Sequence, residues 1–338
     1  MSDGAGLFGP APERKASLTK YHTKLEHYMP SFSFSKLIPS GNPTIILHEP
    51  ALSPAALAAL SARLMQPLHI GGEQVGALYY ADDERANLPR LCMMGGEFCV
   101  NATRAAALLL ARQGRLADVR GSGAPVWSGS LLVSGMEQPV LILVSPDSNA
   151  LVRAAALTDS ILTGACSDPD PERDPQEVIL HCAARVDCSA PETVCRPLRP
   201  GVTLVHMPGM VHALIDTGEQ PLPDLEGNGW RRASAEQRSE CGLSDAPASG
   251  IIWFRREGTA FRIWPAVEVK ATLSEHLESA CGSASLALAL WQWQHTQAGS
   301  IDVLQPSGET LRVFPAAEPG RAFVSGPVLL AAEGVVHA

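Results

Sequence analysis

The chain has 338 residues, of which 46% are hydrophobic and 18% charged, with a formal net charge of −9. That length and apolar content suit two domains, or one large one, around a substantial core. The acidic balance argues against a broad basic nucleic-acid surface, and no run approaches the 18 apolar residues that suggest a membrane span.

In chain order, residues 1–32 read as an N-terminal extension. Met1 to Ser31 is polar and lacks the apolar core of a secretory signal, so a cytoplasmic location is expected. The turn Ser40-Gly41-Asn42-Pro43 leads into a strand at Thr44–Leu47. Ser53 to Met65 predicts a helix, with Ser53 as N-cap and Pro54 at the first position. Strands follow at Gly76–Tyr80 and Leu91–Met94, then Gly95-Gly96, a cysteine, and a helix over about Asn101–Gln113. Further strands are expected at Ala124–Trp127, Ser130–Ser134 and Val140–Val144. The inter-domain crossing is placed between Pro146 and Asp159, and the Pro-rich acidic stretch Ser167–Glu172 reads as an exposed loop.

Strands resume at Val178–His181, Val202–His206 and His212–Ile215. Leu225–Leu243 is helix-compatible, and a hairpin turns at Glu257-Gly258 between Ile251–Arg255 and Thr259–Trp264. A second cysteine then opens a helix that ends near His295. Short strands are expected at Thr310–Val313, Ala322–Val324 and Val328–Leu330. The order is strands, cysteine–helix, strands, cysteine–helix, strands. That is an α+β chain with an internal duplication, not a βαβ alternation. The domains are predicted as 33–150 plus 312–338, carrying Cys99, and 151–311, carrying Cys281.

The duplication is centred on two segments 182 residues apart: Phe98-Cys99-Val100-Asn101-Ala102-Thr103-Arg104 and Ala280-Cys281-Gly282-Ser283-Ala284-Ser285-Leu286. Each is a thiol, then small polar residues, then an Ala/Leu-rich helix. A helix N-terminus presents free N–H groups and a positive dipole end. These features lower a thiol's pKa and bind a carboxylate. Two such termini facing each other would hold an amino acid by its carboxylate, with one sulfur on each face of the α-carbon. One thiolate would take the α-proton while the opposite thiol returns one, so that the centre inverts. N–H groups would stabilise charge building on the carboxylate. This chemistry needs no metal and no cofactor. The eight cysteines are dilute and read as reduced thiols. Cys182, Cys188 and Cys195 with His181 lack the short doublets of structural zinc sites.

At these residues the chain resembles the diaminopimelate epimerase fold family. Its motif Cys-Gly-Asn-Gly-x-Arg reads here as Cys99-Val100-Asn101-Ala102-Thr103-Arg104, and its motif Ala-Cys-Gly-Thr-Gly as Ala280-Cys281-Gly282-Ser283-Ala284. Its Gly-Asn-Asp and Gly-Asn-Pro-His signatures look like Gly41-Asn42-Pro43 and Gly209-Met210-Val211-His212. The resemblance implies two pseudo-symmetric domains, each a curved, mainly antiparallel sheet or barrel around a central helix. It also implies cofactor-independent epimerisation by one cysteine from each domain. The wording Met94-Gly95-Gly96-Glu97-Phe98-Cys99 is closer to the histidine racemases of opine-metallophore pathways. Departures point the same way. No Glu-Arg follows the Ile263-Trp264 strand, and Met210 stands where the family has a substrate-binding Asn. Val100 replaces a Gly beside the first cysteine, where a β-branched side chain crowds the pocket.

The expected catalytic residues are therefore Cys99 and Cys281. The expected substrate-binding residues are Asn42, Asn101, Ala102, His212, Glu278, Gly282 and Ser283. His212 is implied to orient or accept from Cys99. Glu97, Glu268 and Glu275 join Glu278 as candidates for Cys281 or the substrate amino group, and Arg104 is expected to be a structural ion partner. The expected partners are a small-molecule amino acid, histidine first and a diamino acid such as diaminopimelate second, and a second copy of the chain as a homodimer. Two other classes stay open: a thiol-redox protein cycling Cys99 and Cys281 through a disulfide, and a non-catalytic amino-acid-binding relative.

Overall fold

The computed structural model describes residues 31–48, 52–80, 88–157, 179–188, 190–270, 273–296 and 299–337. Most of the expected N-terminal extension, the loop at Ser167–Glu172 and Cys166 lie outside the described residues. The first half of the chain runs β1 (Ser31–Pro39), β2 (Thr44–Leu47), α1 (Pro54–Leu64), β3 (Gln74–Tyr80), β4 (Pro89–Met93), α2 (Val100–Arg112), β5 (Ala117–Asp118), β6 (Trp127–Val133), β7 (Val140–Ser145), α3 (Ser148–Ala155) and β8 (Ile179–Asp187). The second runs α4 (Pro191–Val194), β9 (Cys195–Arg199), β10 (Val202–Met207), β11 (Met210–Asp216), α5 (Gly229–Glu240), β12 (Ala248–Glu257), β13 (Ala260–Val269), β14 (Ser274–Leu277), α6 (Gly282–His295), β15 (Ile301–Leu304), β16 (Thr310–Pro315) and β17 (Arg321–His337).

Eight strands close a barrel in the order β1-β2-β3-β4-β6-β7-β8-β17 and back to β1. From β1 to β17 the pairings read antiparallel, parallel, antiparallel, parallel, then antiparallel three times. The second half repeats that order through β10, β11, β12, β13, β15, β16, β17 and β8. Each parallel pair β2/β3 and β11/β12 is bridged by an outer helix, α1 or α5, as a parallel connection requires. Strands β8 and β17 serve both halves. The chain is therefore a mixed α+β protein with a closed eight-stranded barrel and additional strands and helices.

Each half wraps its strands around the helix that follows its cysteine. Twelve of the 13 residues of α2 are buried, and Gly282 and Ala284 to Leu290 are buried in α6. A helix apolar on all sides has to be enclosed, and the alanines keep it slim enough for a barrel interior. Ser53 accepts a hydrogen bond from the Ala56 amide and Pro54 opens α1, as expected.

Two local expectations are corrected, and the segment of the expected crossing gains a helix. Strand structure begins at β1, before Thr44. The expected crossing between Pro146 and Asp159 contains a helix, α3, capped by Asp147. The two short strands at Ala322–Val324 and Val328–Leu330 are one 17-residue strand. Pro327, in the gap between the two expected strands, falls between the last β16 pairing at Ser325 and the first β1 pairing at Val328. Its missing N–H therefore costs no ladder bond on that edge.

Candidate active site

Strand β4 ends in the turn Gly95-Gly96, which delivers Cys99 to the N-cap of α2. Strand β14 delivers Cys281 to the N-cap of α6. The matched hydroxyls act alike: Thr103 Oγ1 donates to the Cys99 carbonyl at 2.7 Å and Ser285 Oγ to the Cys281 carbonyl at 2.8 Å. Each locks the first turn of its helix behind the thiol. Gln305 fixes the second cysteine further, accepting from the Cys281 amide at 2.9 Å and donating to Ser285 Oγ at 3.1 Å.

The two helix N-termini touch. A Cβ on Gly282 would lie 2.6 Å from Val100 Cγ1, so Val100 occupies the space that glycine leaves. These are equivalent positions of the duplicated segments, valine in one and glycine in the other. Asn101 Nδ2 donates to the Ala280 carbonyl at 2.8 Å and its Oδ1 accepts from Arg104 at 3.0 Å. Asn42 Nδ2 donates to Glu73 at 2.6 Å and to the same Ala280 carbonyl at 3.3 Å. Glu73 also accepts from Ser279, from the hydroxyl at 2.5 Å and from the amide at 3.2 Å. The residues before Cys281 are thus tied to the first half at several points.

Cys99 and Cys281 line one cavity together with Gln74, Glu97, Asn101, Met210, Glu278, Gly282 and Ser283. Between the thiols runs a hydrogen-bonded chain. Cys99 Sγ donates to Gln74 Oε1 at 2.7 Å, Gln74 Nε2 donates to Glu278 Oε1 at 3.3 Å, and the Glu278 carboxyl is hydrogen-bonded to the Cys281 thiol. Cys99 Sγ also accepts from the Ala102 amide at 3.3 Å, and Cys281 Sγ lies 3.4 Å from Ser283 Oγ.

Helix termini were expected to lower the thiol pKa values. Burial outweighs them: both thiols are pushed above the ordinary value, first by desolvation and then by nearby carboxylates. Burial likewise raises Glu278 to about 8, with Glu73 and Glu97 adding to the shift. Three carboxyls converge here, and neither Lys nor Arg is among the residues lining the cavity.

The remaining expected residues separate into groups. Gly282, Ser283, Asn101 and Glu278 meet the cavity. Ala102 contributes its amide to Cys99, and Asn42 acts one step back, on Ala280 and Glu73. His212 is fully buried with neither ring nitrogen hydrogen-bonded among the described residues. Burial pulls it down to about 3. Its Nδ1 sits where a Cβ on Gly250 would be, 2.2 Å away, so only glycine fits beneath it. Cys99 donates to Gln74, not to His212. Glu268 and Glu275 turn away from the cavity and flank the buried Arg238, at 3.6 and 2.5 Å. Arg104 is fully buried and hydrogen-bonds to neutral partners, Ser40 and Asn101, with no ion partner among the described residues.

Gln74 and His276 went unnoticed in the sequence. Nothing local marks Gln74. The period-two series Ser274, His276, Glu278, all three lining the cavity just ahead of Cys281, is the signal that could have found His276.

Among the described residues no group of three or more His, Cys, Asp or Glu is placed to hold a metal ion. The seven described cysteines are free thiols. No helix of the described residues is long and apolar enough to cross a membrane.

The family profile described as the N-terminal domain of histidine racemase CntK matches residues 31–160. A histidine racemase of Fusobacterium nucleatum subsp. nucleatum is 24% identical over 304 residues, covering 90% of this chain and 96% of the relative. A histidine racemase of Staphylococcus aureus is 40% identical over 70 residues, 21% of this chain and 25% of the relative. Among solved structures, a probable proline racemase from Agrobacterium radiobacter superposes with a TM-score of 0.55 at 10% identity, covering 91% of this chain and 92% of that one. A hydroxyproline epimerase from Agrobacterium vitis, with trans-4-hydroxy-L-proline bound, gives 0.53 at 13% identity over 91% and 92%. These two share the fold.

Proposed function

We propose that this chain, an isomerase of the pyridoxal-phosphate-independent amino-acid racemase and epimerase family, inverts the α-carbon of free histidine by two-cysteine acid/base catalysis. The observation that carries the reading is the placement of Cys99 and Cys281, each capping one of two duplicated helices, on a single cavity.

In this reading the substrate lies between the sulfurs. Its carboxylate meets the N–H groups at the starts of α2 and α6, where the dipole favours an anion. Its ammonium meets the carboxyl-rich wall. The ionised form of Glu278, whose carboxyl is hydrogen-bonded to Cys281 and titrates at about 8, takes the Cys281 proton and leaves a thiolate. That thiolate removes the α-proton from one face. The Cys99 thiol delivers its own proton to the opposite face, so the product enantiomer leaves with Cys281 as thiol and Cys99 as thiolate. The reverse direction exchanges the roles. Gln74, bonded to Cys99 and Glu278, holds both in register.

Histidine is preferred over diaminopimelate on electrostatic grounds. Glu73, Glu97 and Glu278 line the cavity without a Lys or Arg to receive a distal carboxylate. The relatives named histidine racemase support the same choice. We take the enzyme to be a cytoplasmic homodimer, and light scattering at twice the chain mass would test the assembly.

The test is incubation with a panel of L-amino acids and LL-diaminopimelate in D₂O. Loss of the α-proton is followed by NMR and the enantiomer formed by chiral chromatography. Histidine should exchange and invert fastest. Faster turnover of diaminopimelate would overturn the substrate assignment, and no exchange with any amino acid would overturn the racemase reading.

A further inference from the structure

Two buried polar atoms on the cavity wall have no hydrogen-bond partner among the described residues: Glu97 Oε2 and His276 Nε2. The mechanism above gives neither a proton-transfer role. An unmatched buried polar atom costs free energy that a matching ligand group recovers.

The backbone explains why both residues line the same cavity. On β13 and β14, His276 is paired with Val267 and Ser274 with Val269. All four line the cavity, whereas the alternate residues Glu268 and Glu275 point the other way, to Arg238. The Gly95-Gly96 turn brings Glu97 up to this wall. A Cβ on Gly95 would meet Glu97 Oε2 at 2.6 Å and Val269 Cγ1 at 3.2 Å. The Glu97 carboxyl and the β13/β14 face thus abut one point across the two halves of the molecule.

Resting on the racemase reading, we propose that Glu97 and His276 form the side-chain subsite and select an amino acid whose side chain offers one N–H donor and one acceptor nitrogen. Imidazole fits that description. Its N–H reaches Glu97, and its second nitrogen accepts from His276 Nε2. A carboxylate side chain would face Glu97, an alkylammonium supplies donors only, and an alkyl chain leaves both atoms unmatched. Burial, with Arg231 nearby, pulls the His276 pKa down, which keeps the ring neutral, and in this proposal its single proton sits on Nε2 as the donor.

The experiment measures kcat and KM for α-proton exchange of L-histidine and of L-leucine in wild type, His276→Leu, His276→Gln and Glu97→Gln. His276→Leu should lower kcat/KM for histidine roughly 10- to 100-fold, mainly through KM, as loss of one buried hydrogen bond implies. Leucine exchange should fall less, so the histidine-to-leucine ratio collapses. His276→Gln, which keeps a donor and an acceptor, should restore much of it. In wild type alone, imidazole should compete with histidine more strongly than pyrrole, which has the N–H but no acceptor nitrogen. An unchanged ratio in His276→Leu, or equal inhibition by imidazole and pyrrole, would overturn the subsite assignment while leaving the racemase reading intact. Failure of wild type to exchange histidine would overturn both.

Discussion

The contact between Gly282 and Val100 can be tested through Gly282→Ala. Ordinary van der Waals contact begins near 3.4 Å, and the added Cβ would lie 2.6 Å from Val100 Cγ1 and 2.7 Å from Val100 Cβ. The shortfall against Cγ1 is about 0.8 Å. Val100 cannot rotate away, because it is β-branched, buried and in the first turn of α2. The helix termini must therefore separate by a similar amount. Overpacking of this kind costs about 1–3 kcal/mol. Because both thiols sit on these termini, the same displacement widens the gap that each must bridge to the α-carbon. A misplacement near 1 Å costs on the order of 100-fold in rate. Gly282→Ala should thus lose about 1–3 kcal/mol in urea denaturation and on the order of 100-fold in kcat/KM for α-proton exchange. Val100→Ala/Gly282→Ala removes the obstructing methyls and should recover most of both. A neutral single variant, or a double variant no better than the single, would refute the claim that these residues set the spacing of the thiols.

Glu278 is raised from 4.5 to about 8, so the folded protein keeps its proton where the unfolded chain has lost it. The stability this contributes is complete below about pH 4.5 and is lost as pH rises through about 8. Denaturation across that window should be flatter for Glu278→Gln, and the kcat/KM profile should lose a limb near pH 8 together with most of its activity. Asn101→Ala removes the shorter of two side-chain hydrogen bonds to the Ala280 carbonyl and one of the two that hold the buried Arg104 guanidinium. It should cost about 1–3 kcal/mol by denaturation, whereas a Ser285→Ala change, which leaves the Cys281 carbonyl with the Ser285 amide and the Gln305 amide with the Val303 carbonyl, should cost less.

Local patterns in the sequence disclosed the parts of the fold that local chemistry dictates. Ser53-Pro54 announces α1, and the thiol followed by small residues and alanines announces both central helices. What escaped notice depends on tertiary pairing. The 17 residues of β17 contain Gly326-Pro327, in the gap between the two expected strands, and the switch of partners from β16 to β1 makes the proline tolerable on that edge. The thiols themselves were legible, but their acidity was not. A helix terminus lowers a thiol's pKa, while desolvation in the buried cavity raises it, and the second effect is larger at both cysteines. Gln74 is a lone amide at the start of a strand. It matters only because β3 lies between Cys99 and Glu278, and that arrangement is set by the barrel.

The central claim is that two cysteines act on opposite faces of one α-carbon. Its most direct test follows L-histidine and D-histidine in D₂O with wild type, Cys99→Ala and Cys281→Ala, recording α-deuteration by NMR and inversion by chiral chromatography. The account predicts that wild type does both, that each alanine variant loses inversion, and that a remaining thiolate exchanges the α-proton of one enantiomer only. Racemisation at the wild-type rate by either alanine variant would contradict it.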